Sequence, residues 1–189
     1  MYKKIAILLV ISFTAVGFGF GQQAFHKSDK ALNLGIGLGS GYYAGIGMAP
    51  IPSFNVSFET GVYDIPDIGV ITAGGYGDFH HTWTNQVWFG TDYRNSYTNF
   101  IIGARGAFHL SMLNTDKFDV YAGILTGIRF ESYKSNYYDD NNIDYVSNDA
   151  YFVHDVFVGG RIMMSKNFAF FAEAGYGVSY LKVGITLKF

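Results

Sequence analysis

The sequence predicts an all-β protein, an eight-stranded antiparallel up-and-down barrel, and three observations predict it. Aromatic residues make up 19% of the chain, with 15 Tyr and 18 Phe, while Pro contributes only 3 residues and Gly 24. Tyr, Phe and Val suit a pleated, half-buried surface, and glycine-rich breaks suit turns. Apolar and polar residues alternate with period two through most of the chain. In "YLKVGITLKF", Leu181, Val183, Ile185, Leu187 and Phe189 fall on one face, and Tyr180, Lys182, Gly184, Thr186 and Lys188 fall on the other. The third observation is an alternation of long and short connections, developed below.

The first residues stand outside this pattern. "MYKK" is a short basic segment, "IAILLVISFTAV" an apolar run of signal-peptide length, and "GFGFGQQ" places the small residues Gly19 and Gly21 at a cleavage position. Residues 1–21 read as a Sec-type export signal, cleaved near Gly21–Gln22, with an uncleaved membrane anchor as the alternative. Residues 22–189 then form one barrel domain. Residues 1–21 carry two lysines and no acid, so their removal takes the formal net charge from −2 to about −4. That balance offers no basic footprint for nucleic acid. Zero cysteines exclude a disulfide framework, a thiolate metal site and a Cys nucleophile.

Eight strands are expected, over about 31–40, 53–63, 68–79, 97–110, 118–131, 150–163, 168–176 and 180–189. Their connections run long ("GYYAGIGMAPIP"), short ("DIPD"), long ("HHTWTNQVWFGTDYRNS"), short ("SMLNTDK"), long ("SYKSNYYDDNNIDYVSND") and short ("SKN"). Only the seventh, around "YGVS", is short where the alternation calls for length. Short turns on one side and long loops on the other are the pattern of a barrel crossing an outer membrane.

Side-chain parity separates a membrane barrel from a soluble one. On the first strand Leu32, Leu34, Ile36 and Leu38 oppose Asn33 and glycines. On the second, Phe54, Val56 and Phe58 oppose Asn55, Ser57 and Glu59. The third is too poorly patterned to phase. On the fourth, Phe100, Ile102, Ala104, Phe108 and Leu110 oppose Arg105 and His109. On the fifth, Phe118, Val120, Ala122, Ile124, Ile128 and Phe130 oppose Asp119, Tyr121, Arg129 and Glu131. The sixth sets Val156, Val158 and Ile162 against Asp155 and Arg161, and the seventh sets Phe168, Phe170 and Ala172 against Glu173. The polar face thus holds five acids (Glu59, Asp119, Glu131, Asp155, Glu173) and five bases (Arg105, Arg129, Arg161, Lys182, Lys188).

A lipocalin-type barrel would turn this charged face to water and keep the apolar face for a pocket. The export signal, the scarcity of Lys and Glu on the polar face, and aromatics near strand ends (Tyr97, Phe118, Tyr151, Phe152, Phe168, Tyr180, Phe189) favour the membrane. A lipid-facing Arg at mid-bilayer costs about 2–4 kcal/mol, so exposing Arg105 and Arg161 together would cost about 4–8. Typical stabilities are about 5–15 kcal/mol. The bases therefore belong inside, with counter-charges. Antiparallel pairing is expected to set His109 opposite Asp119, Asn99 opposite Arg129 and Glu173 opposite Lys182. An eight-stranded interior is just wide enough for side chains to fill it, so the lumen should be a closed polar plug.

The terminal "YLKVGITLKF" resembles the carboxy-terminal strand read by the outer-membrane barrel assembly machinery. "FIIGARGAFHL", "DKFDVYAGILTGIRF" and "LNLGIGLG" resemble the small porin-like outer-membrane β-barrel family. The resemblance implies an outer-membrane protein surrounded by lipid. It also implies that Leu181, Val183, Ile185, Leu187 and Phe189 act as the assembly strand, with Phe189 toward lipid at the periplasmic rim.

Other chemistries are weaker. "GSGYYA" (Gly39, Gly41, Ala44) fits G-x-G-x-x-A but lacks a βαβ unit. "DDNNIDYVSND" begins like a calcium loop, but Tyr145 and Tyr151 stand where Gly and Glu are needed. A loosely bound divalent cation at Asp139, Asp140 and Asp144 competes there with a plain solvated loop. His80 and His81 are adjacent, so on a strand they point to opposite faces. A lipid-modifying enzyme would need His154 to meet Ser40, Ser132 or Ser147, and no spacing links them. His109 with Asp119 reads as a structural pair. No catalytic residue, metal site or cofactor is assigned. The leading reading is a non-enzymatic barrel whose external loops, 80–96 and 132–149, present Trp83, Trp88, Phe89, Tyr137, Tyr138, Asp139 and Asp140 to an extracellular ligand. Transport of small or apolar solutes is the alternative, and a lipid-modifying enzyme a further one.

Overall fold

The structure is a computed structural model that describes residues 25–39, 52–88, 91–135 and 145–189. Its strands are β1 (Lys30–Leu38), β2 (Ser53–Ile65), β3 (Gly69–Trp88), β4 (Thr91–Leu110), β5 (Phe118–Ser135), β6 (Tyr145–Ser165), β7 (Phe168–Tyr176) and β8 (Leu181–Lys188). Each pairs antiparallel with its chain neighbours, and β8 returns to β1 with Leu34 opposite Ile185, closing the ring. The eight-stranded all-β expectation agrees with this architecture.

Polarity runs opposite to that of a soluble barrel. Phe54 and Ile124, on the outer face, are each 65% exposed, whereas Glu59 is 0% and Arg161 2% exposed inside. The outer face carries Leu34, Val56, Phe100, Ile102, Phe130, Val158 and Phe170, all exposed. Leu181, Val183, Leu187 and Phe189 are exposed on the same side, and the Phe189 backbone pairs with Lys30. Such a surface is stable only against another apolar medium.

Two elements lie at the end of the ring where the short turns are. Ser111–Leu113 form one 3-10 turn between β4 and β5. Ahead of β1, Phe25 is buried and stacks on His109 at 4.6 Å between ring centroids. The approach to β1 is fixed by Ser28 N–H donating to the Gly61 carbonyl and Gly61 N–H to that of Asp29, both at 3.0 Å. Lys188 Nζ reaches Asp29 Oδ2 at 2.8 Å. At Gly74 the backbones of β2 and β3 approach so closely that a Cβ would overlap the Phe58 carbonyl oxygen.

Several expectations are corrected. The third connection, expected as a loop over 80–96, is a continuation of β3 and β4, paired out to Trp88 opposite Thr91. Trp83 and Trp88 therefore sit on a strand. The fifth connection is likewise strand on both flanks, to Ser135 and from Tyr145. Beyond the apolar band of the ring neither face needs to stay apolar, so period-two apolarity fades while β-propensity persists. Phe89, Tyr137, Tyr138, Asp139, Asp140 and Asp144 lie outside the described residues, as do Ser40, Gly41, Ala44 and the segment 1–21.

Register is offset by two on one pair. His109 stands opposite Tyr121 rather than Asp119, and Asn99 opposite Glu131 rather than Arg129, because the connection reaches past 111–117 to take up Phe118 and Asp119: Thr115 N–H donates to the Phe118 carbonyl and Val120 N–H to Asn114 Oδ1. Glu173 is opposite Lys182, as expected. Strand β3 turns its even-numbered residues inward: Thr72, Tyr76, Asp78, His80 and Thr82 are buried. Asp78 is therefore an interior acid absent from the expected five. Tyr97 and Tyr151 share the inward parity of Asn99 and Val153, so they do not belong to a lipid-facing aromatic girdle.

Candidate functional site

Parity delivers charged side chains from six strands to one axis, and there they form two ion-pair clusters. The first lies toward the short-turn end. Arg161 on β6 pairs with Glu59 on β2 and donates from its other terminal nitrogen to Asp119 Oδ2 at 2.9 Å. His109 sits between the same carboxylates, with Nδ1 2.8 Å from Asp119 and Nε2 3.7 Å from Glu59. The diagonal reach from His109 to Asp119 survives the register offset because long-strand neighbours two residues apart remain in contact. Thr72 Oγ1 donates to Glu59 Oε2 at 3.1 Å, and Asn114 Nδ2 donates to Asp119 Oδ1 at 2.9 Å.

The second cluster lies deeper in the lumen. Arg105 makes a bidentate pair with Glu173, at 3.1 and 2.5 Å. Tyr121 O–H donates to the same carboxylate at 2.9 Å. Lys182 Nζ lies 2.6 Å from Asp155 Oδ2 and 3.8 Å from Glu173. Asp78 accepts from Ser53 Oγ at 2.7 Å and from Tyr76 O–H at 3.2 Å. Removing one partner from such buried pairs would leave an uncompensated charge.

The interior is not polar throughout. Tyr76, Ile101, Leu125, Val153 and Phe157 form a buried apolar cluster among these charges. The Arg105 guanidinium lies 4.1 Å from the Phe157 ring centroid, and that of Arg161 4.6 Å from Tyr121. Aromatic faces thus cover cation surfaces that hydrogen bonds do not reach. Inward apolar residues on β5 and β6 were masked in the sequence by apolar neighbours on the outer face.

Arg129 and Glu131 belong to neither cluster. They pair with each other at 3.6 Å toward the opposite end, and Arg129 also covers the Tyr151 ring at 4.8 Å. Above them β3 to β6 continue as a four-stranded extension. Its inner face carries a tyrosine array that sequence reasoning missed. Tyr97 and Tyr133 lie 4.8 Å apart between centroids, Tyr145 lies 6.3 Å from Tyr133, and Tyr133 O–H donates to Asn95 Oδ1 at 3.0 Å. Recurrence of Tyr at inward parity on three adjacent strands was the available signal, but it appears only once the register is known. On the outer face His81 Nδ1 lies 2.9 Å from Thr98 Oγ1, while His80 is buried on the inner one.

Among the described residues no group of three His, Asp or Glu side chains is arranged to hold a metal ion. His154 is on the outer face of β6 opposite Thr126, whereas Ser132 is opposite Asn148, six residues further along, and Ser147 has the inward parity. The hydrolase grouping considered from sequence is therefore not assembled by these three residues.

No family model matches the chain, and no curated protein matches it by sequence. Solved structures do resemble it. Ail, the attachment invasion locus protein of Yersinia pestis, matches at 13% identity over 87% of this chain and 100% of its own, with a TM-score of 0.47. The same figures hold for Ail in complex with the heparin analogue sucrose octasulfate. The N-terminal β-barrel domain of Pseudomonas aeruginosa OprF matches at 12% identity over 87% of this chain and 98% of its own, with a TM-score of 0.43.

Proposed function

We propose that this chain is an integral outer-membrane β-barrel without enzymatic activity, whose lumen is sealed and whose four-stranded extension is the working surface. The observation that carries this reading is the polarity: every strand offers an aliphatic or aromatic face outward, and the charges are paired within. On this reading residues 1–21 direct export and 22–189 form the mature barrel. Lipid surrounds Leu181, Val183, Ile185 and Leu187, and the same strand, ending at Phe189, is what the assembly machinery reads. The extension stands clear of lipid on the external side and meets an extracellular ligand.

The sealed lumen rests on the two clusters of Glu59, His109, Asp119 and Arg161, and of Arg105, Asp155, Glu173 and Lys182. All of these side chains are buried, and bulky Tyr121 and Phe157 fill the space between them. Folded barrel in planar bilayers should give no ion conductance above background. Steady conductance would overturn the sealed reading and favour solute transport. Heat-modifiable migration of membrane-extracted protein tests the barrel itself, and solubility without detergent would sink it.

A further inference from the structure

We propose that the inner face of the β3–β6 extension is a binding site for an uncharged oligosaccharide. This deepens the preceding reading and rests on it. Tyr97, Tyr133 and Tyr145 present ring faces from three adjacent strands, and Tyr145 and Tyr151 are 50% and 44% exposed. The C–H face of a pyranose carries partial positive charge and packs on the negative face of such rings. Tyrosine supplies that rigid apolar area with little loss of side-chain freedom.

Polar groups suited to hydroxyls flank the array. Glu131 stands opposite both Asn99 on β4 and Asp149 on β6, so two carboxylates and a carboxamide share one row of the sheet. Ser147 Oγ donates to Asp149 Oδ2 at 3.1 Å, leaving the other oxygen to accept. Asn99 is the independent pointer to a ligand. It is 1% exposed, on the inward parity directly below Tyr97, and neither its Nδ2 nor its Oδ1 has a hydrogen-bond partner. A buried carboxamide left so is costly unless something else satisfies it. A sugar hydroxyl, both donor and acceptor, meets both of its needs. Charge argues against a polyanion: Glu131 and Asp149 outnumber Arg129, which is already engaged by Glu131 and the Tyr151 ring.

The test uses full-length protein folded in detergent micelles, titrated calorimetrically with neutral hexasaccharides of the glucose, mannose and N-acetylglucosamine series and with a polysulfated counterpart. At least one neutral series should bind. Tyr133→Ala should weaken it about tenfold, as expected for loss of a stacking platform, while Tyr133→Phe holds within about twofold. Asn99→Leu should weaken binding without lowering the unfolding midpoint, because no internal hydrogen bond is lost. Binding of none of the neutral series, binding only of the polysulfate, or binding indifferent to Tyr133→Ala would each overturn the proposal. A lone cysteine at Lys134→Cys, in a chain with none of its own, separates the two readings. If it is labelled by an impermeant maleimide on intact cells and no neutral sugar binds, the surface reading stands and the saccharide falls. If it is not labelled, both fall.

Discussion

Two halves of one ring differ in length. Strands β3, β4, β5 and β6 run 20, 20, 18 and 21 residues, while β7, β8 and β1 run 9, 8 and 9. A tilted strand needs about 9–11 residues to cross the hydrocarbon layer. The short half is therefore close to a bare span. The long half continues by about ten residues at roughly 3.3 Å each, or about 25 Å along the barrel axis after tilt. On the outer-membrane reading, what lies within the bilayer is constrained on both faces, by lipid outside and ion pairs inside. What lies beyond it is free to carry tyrosine, asparagine and serine on either face. On that reading the difference assigns stability to one region and recognition to the other.

Substitutions can break that division. The largest effect is expected at Arg161→Leu, which strips Glu59 and Asp119 of their shared cation. Loss of about 3–5 kcal/mol should appear in urea unfolding of the micelle-bound barrel. Next comes Ile124→Arg on the outer face of the spanning region, expected to cost about 2–4 kcal/mol in lipid vesicles, while Trp83→Arg on the extension should cost about 1 or less. Equal costs at the two positions would mean the extension also touches lipid. Gly74→Val should push β2 from β3 and lower the folded fraction in heat-modifiable migration, whereas Gly106→Ala, whose Cβ would meet the Thr72 carbonyl oxygen at an ordinary contact distance of 3.6 Å, should leave stability within about 1 kcal/mol. The smallest effect is expected from replacing residues 85–94 by Asn-Gly, a two-residue hairpin turn. That shortening should change stability by less than about 1 kcal/mol, because it removes no interior ion pair described above.

The same division governed what could be read from the sequence. Where Leu34, Phe100, Ile128 and Val158 make up the apolar outer face and their neighbours meet charges inside, period-two alternation is strict and the strand was legible residue by residue. Arg105, Arg161, Glu173 and Lys182 could be put on the axis on parity alone. Strand β3 failed because Gly74, Gly75 and Gly77 carry no side chain to phase, and Asp78 was lost with it. The extension failed for a different reason. With water on both faces nothing enforces alternation, so "HHTWTNQVW" reads as loop although its pairing is continuous. Tyr97 and Tyr151 were assigned to a lipid girdle because aromatics near a strand end satisfy that pattern equally well. Their parity, in phase with Arg105 and Asp155, puts them on the inner wall.

Phe25 carries one more consequence. Its ring contacts His109 of β4, faces the Arg161 guanidinium of β6 at 5.6 Å and lies 5.8 Å from Lys188 Nζ of β8. Three strands that far apart in the chain converge on one aromatic only after the sheet has curled and its two free margins have joined. The seat for Phe25 is thus the last thing built, and its docking marks completion of the ring. A fluorophore or spin label at that position would act as a clock for closure, separable in time from the earlier pairing of neighbouring strands.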